Sequence, residues 1–237
     1  MKCLLLADDR LDLLATLEPI LKHWGYRVLT ATNVAQANAF LAGSAPAMLI
    51  IGGHLLGDQE LQLPKSGLHI LTLKHPDVMA AAEPGMTVMN VPVDIFALFA
   101  LIQSRVEQHP RRNLRLRLHL PGMYRIKGQD YVLAEVLSLS MAGLFFRSPL
   151  KLAKGDRISA VFPLLGHGKE LEVEGIVLYA IDPMPQNNYM QGFGLGFSSL
   201  TPEQAPLLER FIEESFLNQV TTSQPGVGTF SADHLKR

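Results

Sequence analysis

Four arginines fall within seven residues, Arg111, Arg112, Arg115 and Arg117, and no acidic residue lies between Glu107 and Asp130. A guanidinium forms paired hydrogen bonds to phosphate oxygens, and its flat face stacks on aromatic rings. The cluster therefore points to an anionic ligand. A second candidate is the acid pair Asp8-Asp9 at the end of an apolar run. Two carboxylates offer a thin site for a divalent cation, or they stand as solvated acids after a strand. The eight histidines are scattered without metal-ligand spacing, and no metal site is expected. No nucleophile–base constellation is visible, which argues against an enzyme.

The chain has 237 residues, 48% hydrophobic and 18% charged, enough apolar material for one or two cores. Residues 1–107 carry seven basic and ten acidic residues, a net charge of −3, and the remainder carries +2. That excess is too small and too local for binding a nucleic acid polymer. Cys3 is the single cysteine, so no internal disulfide forms, which fits a cytoplasmic protein. The apolar run after Lys2 ends at Asp8, too early for a secretory leader, and no run approaches the length of a membrane span.

These residues need elements to hold them. Lys2–Ala7, Tyr26–Ala31, Ala47–Ile51, Leu68–Leu73 and Thr87–Val91 are short apolar runs that predict buried strands. Leu11–Trp24, Val34–Leu41 and Ile95–Val106 have helical spacing. Alternation of the two predicts an α/β domain with a parallel sheet, its sites at the strand ends. Pro110 ends the last helix near Gln108. Leu114–Leu120 then alternates strictly, as a half-buried strand does, and Pro121-Gly122 reads as a turn. Met123–Lys127, Tyr131–Leu137, Gly143–Arg147, Arg157–Phe162, Leu171–Ile181 and Gly192–Phe197 are further strands, predicting a small antiparallel barrel. The Gly192-Phe193-Gly194-Leu195-Gly196 run lacks the helix start of a phosphate loop, so its glycines are assigned to close barrel packing. Thr201-Pro202-Glu203-Gln204 predicts a capped helix running to about Leu217. Residues 218–237 are polar and rich in Gly, Ser and Thr, and are expected to be disordered.

Residues 1–107 resemble the receiver domain of response regulators, a flavodoxin-like fold. Asp8-Asp9 match that family's metal-binding acids and Thr72 its switch hydroxyl. The family's phosphorylated aspartate corresponds to Gly52, and its lysine to Val91 before Pro92. Glycine cannot accept a phosphoryl group, and valine cannot neutralise one. The resemblance thus implies a pseudo-receiver that docks an unidentified protein partner or a second copy in a homodimer.

Residues 108–217 resemble a PilZ domain, the cyclic di-GMP receptor module of bacteria. Arg111-Arg112-Asn113-Leu114-Arg115 fits its R-x-x-x-R motif. Ser138-Leu139-Ser140-Met141-Ala142-Gly143 fits its D/N-x-S-x-x-G motif at the serine and glycine, with Ser138 where Asp or Asn is usual. The late strand and closing helix also match. The resemblance implies a cyclic di-GMP-binding signalling adaptor, with Arg111, Arg112, Arg115, Ser138, Ser140 and Gly143 as ligand contacts and Arg117 on the strand's solvent face. Ser140 is expected to donate a hydrogen bond to the ligand, and Gly143 to permit its close approach. The alternative is a protein-interaction module that binds no nucleotide.

Overall fold

The computed structural model describes residues 1–64, 67–74, 86–223 and 231–236. The chain divides into two units, Met1–Arg112 with Leu217–Arg237, and Asn113–Phe216. The first division lies beyond residue 107 because Arg111 N donates to the side-chain Oε1 of Gln103, tying the segment after the helix back to it.

Unit 1 is an α/β receiver-like fold. Its strands are β1 (Cys3–Ala7), β2 (Arg27–Ala31), β3 (Met48–Gly52), β4 (His69–Lys74) and β5 (Thr87–Asn90), in the order β2-β1-β3-β4-β5, all parallel. Every residue of the central β3 is buried, which explains why it reads as an unbroken apolar run. The helices are α1 (Leu11–His23), α2 (Val34–Ser44), the one-turn α3 (Gly53–Leu56) and α4 (Ile95–Val106). Asn33 caps α2 by accepting from Gln36 N, and Asp94 caps α4 by accepting from Phe96 N and Ala97 N. Residues 75–85 lie outside the described residues.

Unit 2 is a closed antiparallel barrel. Its strands are β6 (Leu116–Ile126), β7 (Val132–Ser140), β8 (Gly143–Arg147), β9 (Arg157–Leu164), β10 (Lys169–Ile181) and β11 (Gly192–Phe197), in the order β10-β11-β8-β7-β6-β9. Pro121-Gly122 is not a turn; it lies inside β6. Strand β6 pairs with β9 only from Met123 onward, so its upstream half is bonded along one edge and tolerates a residue without an N–H. Gly122 faces inward, where a Cβ would sit 2.9 Å from the Phe146 ring. The interior is aromatic. Tyr124, Phe146, Phe162 and Phe193 are fully buried, and Tyr124 meets Phe193 edge-on at 5.0 Å. The Tyr124 hydroxyl is satisfied by Ser148 Oγ at 2.7 Å.

Thr201 and Gln204 exchange the expected reciprocal hydrogen bonds at the start of α5 (Gln204–Ser223). This helix belongs to unit 2 as far as Phe216 and to unit 1 from Leu217. It continues past the point where a disordered tail was expected, because Val220 prolongs the apolar stripe of Phe216 and is buried. Residues 231–236 are also ordered, against α1 and the segment after β5, with Leu235 buried. Composition understates this order, since a few backbone hydrogen bonds and one leucine hold the segment. Residues 224–230 and Arg237 lie outside the described residues.

Candidate functional site

At the strand ends of unit 1, Asp8 is fully buried and not a solvated acid. Arg10 Nε donates to its Oδ1 and Arg10 Nη2 to its Oδ2, both at 2.8 Å. This hydrogen bonding raises the Arg10 guanidinium above its ordinary pKa. Asp9, by contrast, is exposed. A Cβ built on Gly52 would lie 2.4 Å from Asp8 Oδ2. The Asp8 carboxylate therefore fills the space that a side chain at position 52 would need, and Arg10 supplies the charge that a metal would otherwise bring. Thr72 lies on β4, buried, its hydroxyl without a hydrogen-bond partner among the described residues. No group of three or more His, Cys, Asp or Glu suited to a metal occurs among the described residues. Gly52→Asp is expected to leave the chain unphosphorylated by acetyl phosphate and to lower stability by about 1–3 kcal/mol through overpacking. Intact-mass analysis and the urea midpoint read the two effects.

The barrel presents a different surface. Residues directly opposite one another in a sheet share a face. The register links Arg117 on β6 to Ser138 on β7, Ser138 to Phe145 on β8, Phe145 to Gly194 on β11, and Gly194 to Tyr179 on β10. The neighbouring inner row holds Val136, Phe146 and Phe193, all fully buried, so this row faces outward. Its rings lie nearly parallel, Phe145 and Tyr179 at 6.2 Å and 25°. They are close because the glycines leave room: a Cβ on Gly194 would stand 2.3 Å from the Tyr179 ring, and one on Gly192 would stand 2.8 Å from the Phe145 ring. The result is one guanidinium, two hydroxyls and two flat rings across five strands. Tyr179 is 42% exposed while Phe145 is covered. Beyond the next outward row, Glu135, Arg147 and Gly192, a pocket of about 480 Å³ opens between Glu135, Arg147, Ser148, Pro149, Pro183, Tyr189 and Gln191.

A family model described as PilZ domain matches residues 108–214. This part of the chain is a PilZ domain. Low-identity likenesses among solved structures each cover about half of this chain. The inhibitor of motility from Bacillus subtilis is 18% identical, covering 47% of this chain and 53% of that chain, with a TM-score of 0.39. The PilZ domain of YcgR from Escherichia coli with c-di-GMP is 14% identical, covering 48% and 97%, with a TM-score of 0.40. The MrkH–c-di-GMP complex of K. pneumonia is 19% identical, covering 50% and 57%, with a TM-score of 0.43. The chain thus spans little more than half of the Bacillus and Klebsiella proteins. No curated protein matches it.

The motif residues of the PilZ domain fall into two groups. Arg111, Arg112 and Arg115 are exposed; the first two end the first segment of unit 1, and Arg115 precedes β6 in unit 2. Ser138, Ser140 and Gly143 lie together on the β7–β8 hairpin, and only Ser138 belongs to the outer row of rings. The other two have local duties. Ser140 Oγ donates to Gly143 O at 3.1 Å and lies 3.4 Å from Ala142 N, so the hydroxyl expected to meet a ligand is engaged in its own turn. A Cβ on Gly143 would be 2.1 Å from Leu195 O, so this glycine permits the close approach of β8 to β11. The same holds for the Gly192–Gly196 run, which forms strand β11 and not a phosphate loop. The sequence assigned Arg117 to the solvent face alone and passed over Phe145 and Tyr179. Only the strand register sets these three beside Ser138, and bulges in β6, β7 and β10 shift that register.

Proposed function

We propose that this chain is a cyclic di-GMP-binding signalling adaptor of the cytoplasm, with no catalytic role. The observation that carries the reading is the outer row Arg117, Ser138, Phe145, Gly194 and Tyr179 in a PilZ domain whose first residues, ahead of β6, supply Arg111, Arg112 and Arg115. Cyclic di-GMP offers two phosphates and two guanines. Arginine forks suit its phosphates and the O6/N7 edge of guanine, and the exposed ring of Tyr179 suits a base. Arg111, Arg112 and Arg115 are the proposed principal contacts. Ser138 meets a guanine edge, while Ser140 and Gly143 hold the hairpin that presents it. Because Arg111 and Arg115 lie on either side of the division between the units, ligand that engages both orders the junction and reorients the receiver-like unit. That unit docks a protein partner or a second copy.

Calorimetry with cyclic di-GMP tests the proposal directly, and absence of heat well above micromolar ligand would leave a protein-interaction module. Ser138 supplies a graded test. Replacing it with aspartate restores a two-point acceptor opposite Arg117. Ser138→Asp is expected to tighten binding by roughly tenfold, the effect of about one good hydrogen bond. Unchanged or weaker binding would place the guanine elsewhere.

A further inference from the structure

Unit 1 holds residues 231–236 as a strap against α1 and the segment after β5: a single 3-10 turn at Ala232–His234, then Leu235, which bridges to Val93. Val93 pairs with it in parallel: its N–H donates to His234 O at 2.7 Å, and its carbonyl accepts from Lys236 N at 2.9 Å. Leu235, between them, is 4% exposed. One end is fixed by the fully buried Thr16, whose hydroxyl oxygen accepts from Ser231 N at 3.3 Å. Two acids flank the leucine. His234 Nε2 lies 2.6 Å from Asp12 Oδ2, and Lys236 Nζ lies 4.0 Å from Asp94 Oδ2. The hydrogen bond with His234 holds the Asp12 carboxyl below its ordinary pKa.

The single bridge at Leu235 uses the main-chain bonding of strand-addition recognition, after a 3-10 turn. Main-chain bonds hold an extended peptide, and a pocket and charges select its side chains. We infer that this groove on unit 1 is a docking site for a basic–apolar–basic peptide, occupied in the resting chain by its own residues 231–236. A protein partner carrying that pattern binds by displacing the strap. The inference takes up the docking role proposed for unit 1 and is independent of nucleotide binding by the barrel. The strap is tethered to α5 through residues 224–230. A short tether gives an effective concentration on the order of millimolar, so the strap excludes weak competitors and yields to a partner of higher affinity.

The test uses the full-length chain and a fluorescent peptide copying residues 229–237. The strap is released with His234→Ala and Leu235→Asp together, and peptide binding is followed by anisotropy up to millimolar concentration. The released chain is expected to bind at least about tenfold more tightly than the unaltered chain, whose groove is filled. Adding Asp12→Ala to the released chain is expected to weaken the peptide several-fold. Hydrogen exchange at Val93 N–H gives a second reading: slow in the unaltered chain, faster on release, and slow again with peptide. Equal binding by both chains overturns the inference, as does failure of the peptide to restore Val93 protection while α1 stays protected. His234→Ala alone, which keeps Leu235, should give the same order at smaller amplitude, and no change in Val93 exchange there counts against the inference.

Discussion

Arg115→Ala is expected to weaken cyclic di-GMP binding by about a hundredfold, and Arg111→Ala with Arg115→Ala to leave no measurable heat at micromolar ligand. A hydrogen bond to a charged group contributes about 1.5–3 kcal/mol, so loss of one arginine fork reaches that factor. The residues are exposed, and Arg115 lies outside the strand that follows it, so neither substitution opens the core. Thermal stability should therefore stay within about 0.5 kcal/mol of the unaltered chain. This pairing of lost binding with kept stability is what separates a ligand contact from a structural residue. Arg117→Ala should show a smaller loss, because Arg117 is one member of a surface row that also offers Ser138 and Tyr179. Calorimetry on the three variants orders them, and equal affinity in all would move the ligand off this face.

Gly143→Ala is expected to fail in the opposite way, losing the barrel first and binding as a consequence. The added methyl would stand 2.1 Å from the Leu195 carbonyl oxygen and 3.2 Å from Gly196 Cα. Both are backbone atoms of β11, so no rotamer relieves the contact; strands β8 and β11 must separate. Their register carries Leu144 against Leu195 and Phe146 against Phe193, all buried. Overpacking ordinarily costs about 1–3 kcal/mol, and a backbone clash inside a closed barrel should sit at or above the upper end. The urea midpoint should fall markedly, with binding lost in proportion to the unfolded fraction. If Gly143→Ala folded normally and failed only to bind, the glycine would belong to the ligand after all.

The contrast between these two variants shows what the sequence could and could not convey. Strands β1 and β3 were legible because burial on both faces leaves apolar runs that need no periodicity. The capping pair Thr201 and Gln204 was legible because its chemistry is local. Pro121 misled because tolerance of a missing N–H depends on whether a neighbouring strand pairs there, and β9 joins β6 only from Met123. Asp8 misled for a similar reason. Its solvation depends on the vacancy at Gly52, a residue distant in sequence, and on Arg10 turning back to meet it. In the candidate site, the arginine motif was visible as a charge anomaly. The outer row was not, because Arg117, Phe145 and Tyr179 become neighbours only through three bulged strand pairings.

The division of α5 between the units bears on how the protein is made. Its last turns and residues 231–236 belong to unit 1, although every residue of the barrel precedes them in the chain. During synthesis the five-stranded sheet emerges first and the barrel second, while the closing pieces of the first unit leave the ribosome last. The receiver-like unit therefore stays unfinished for as long as the barrel takes to be translated. Until then Thr16 and Val93 lack their eventual partners.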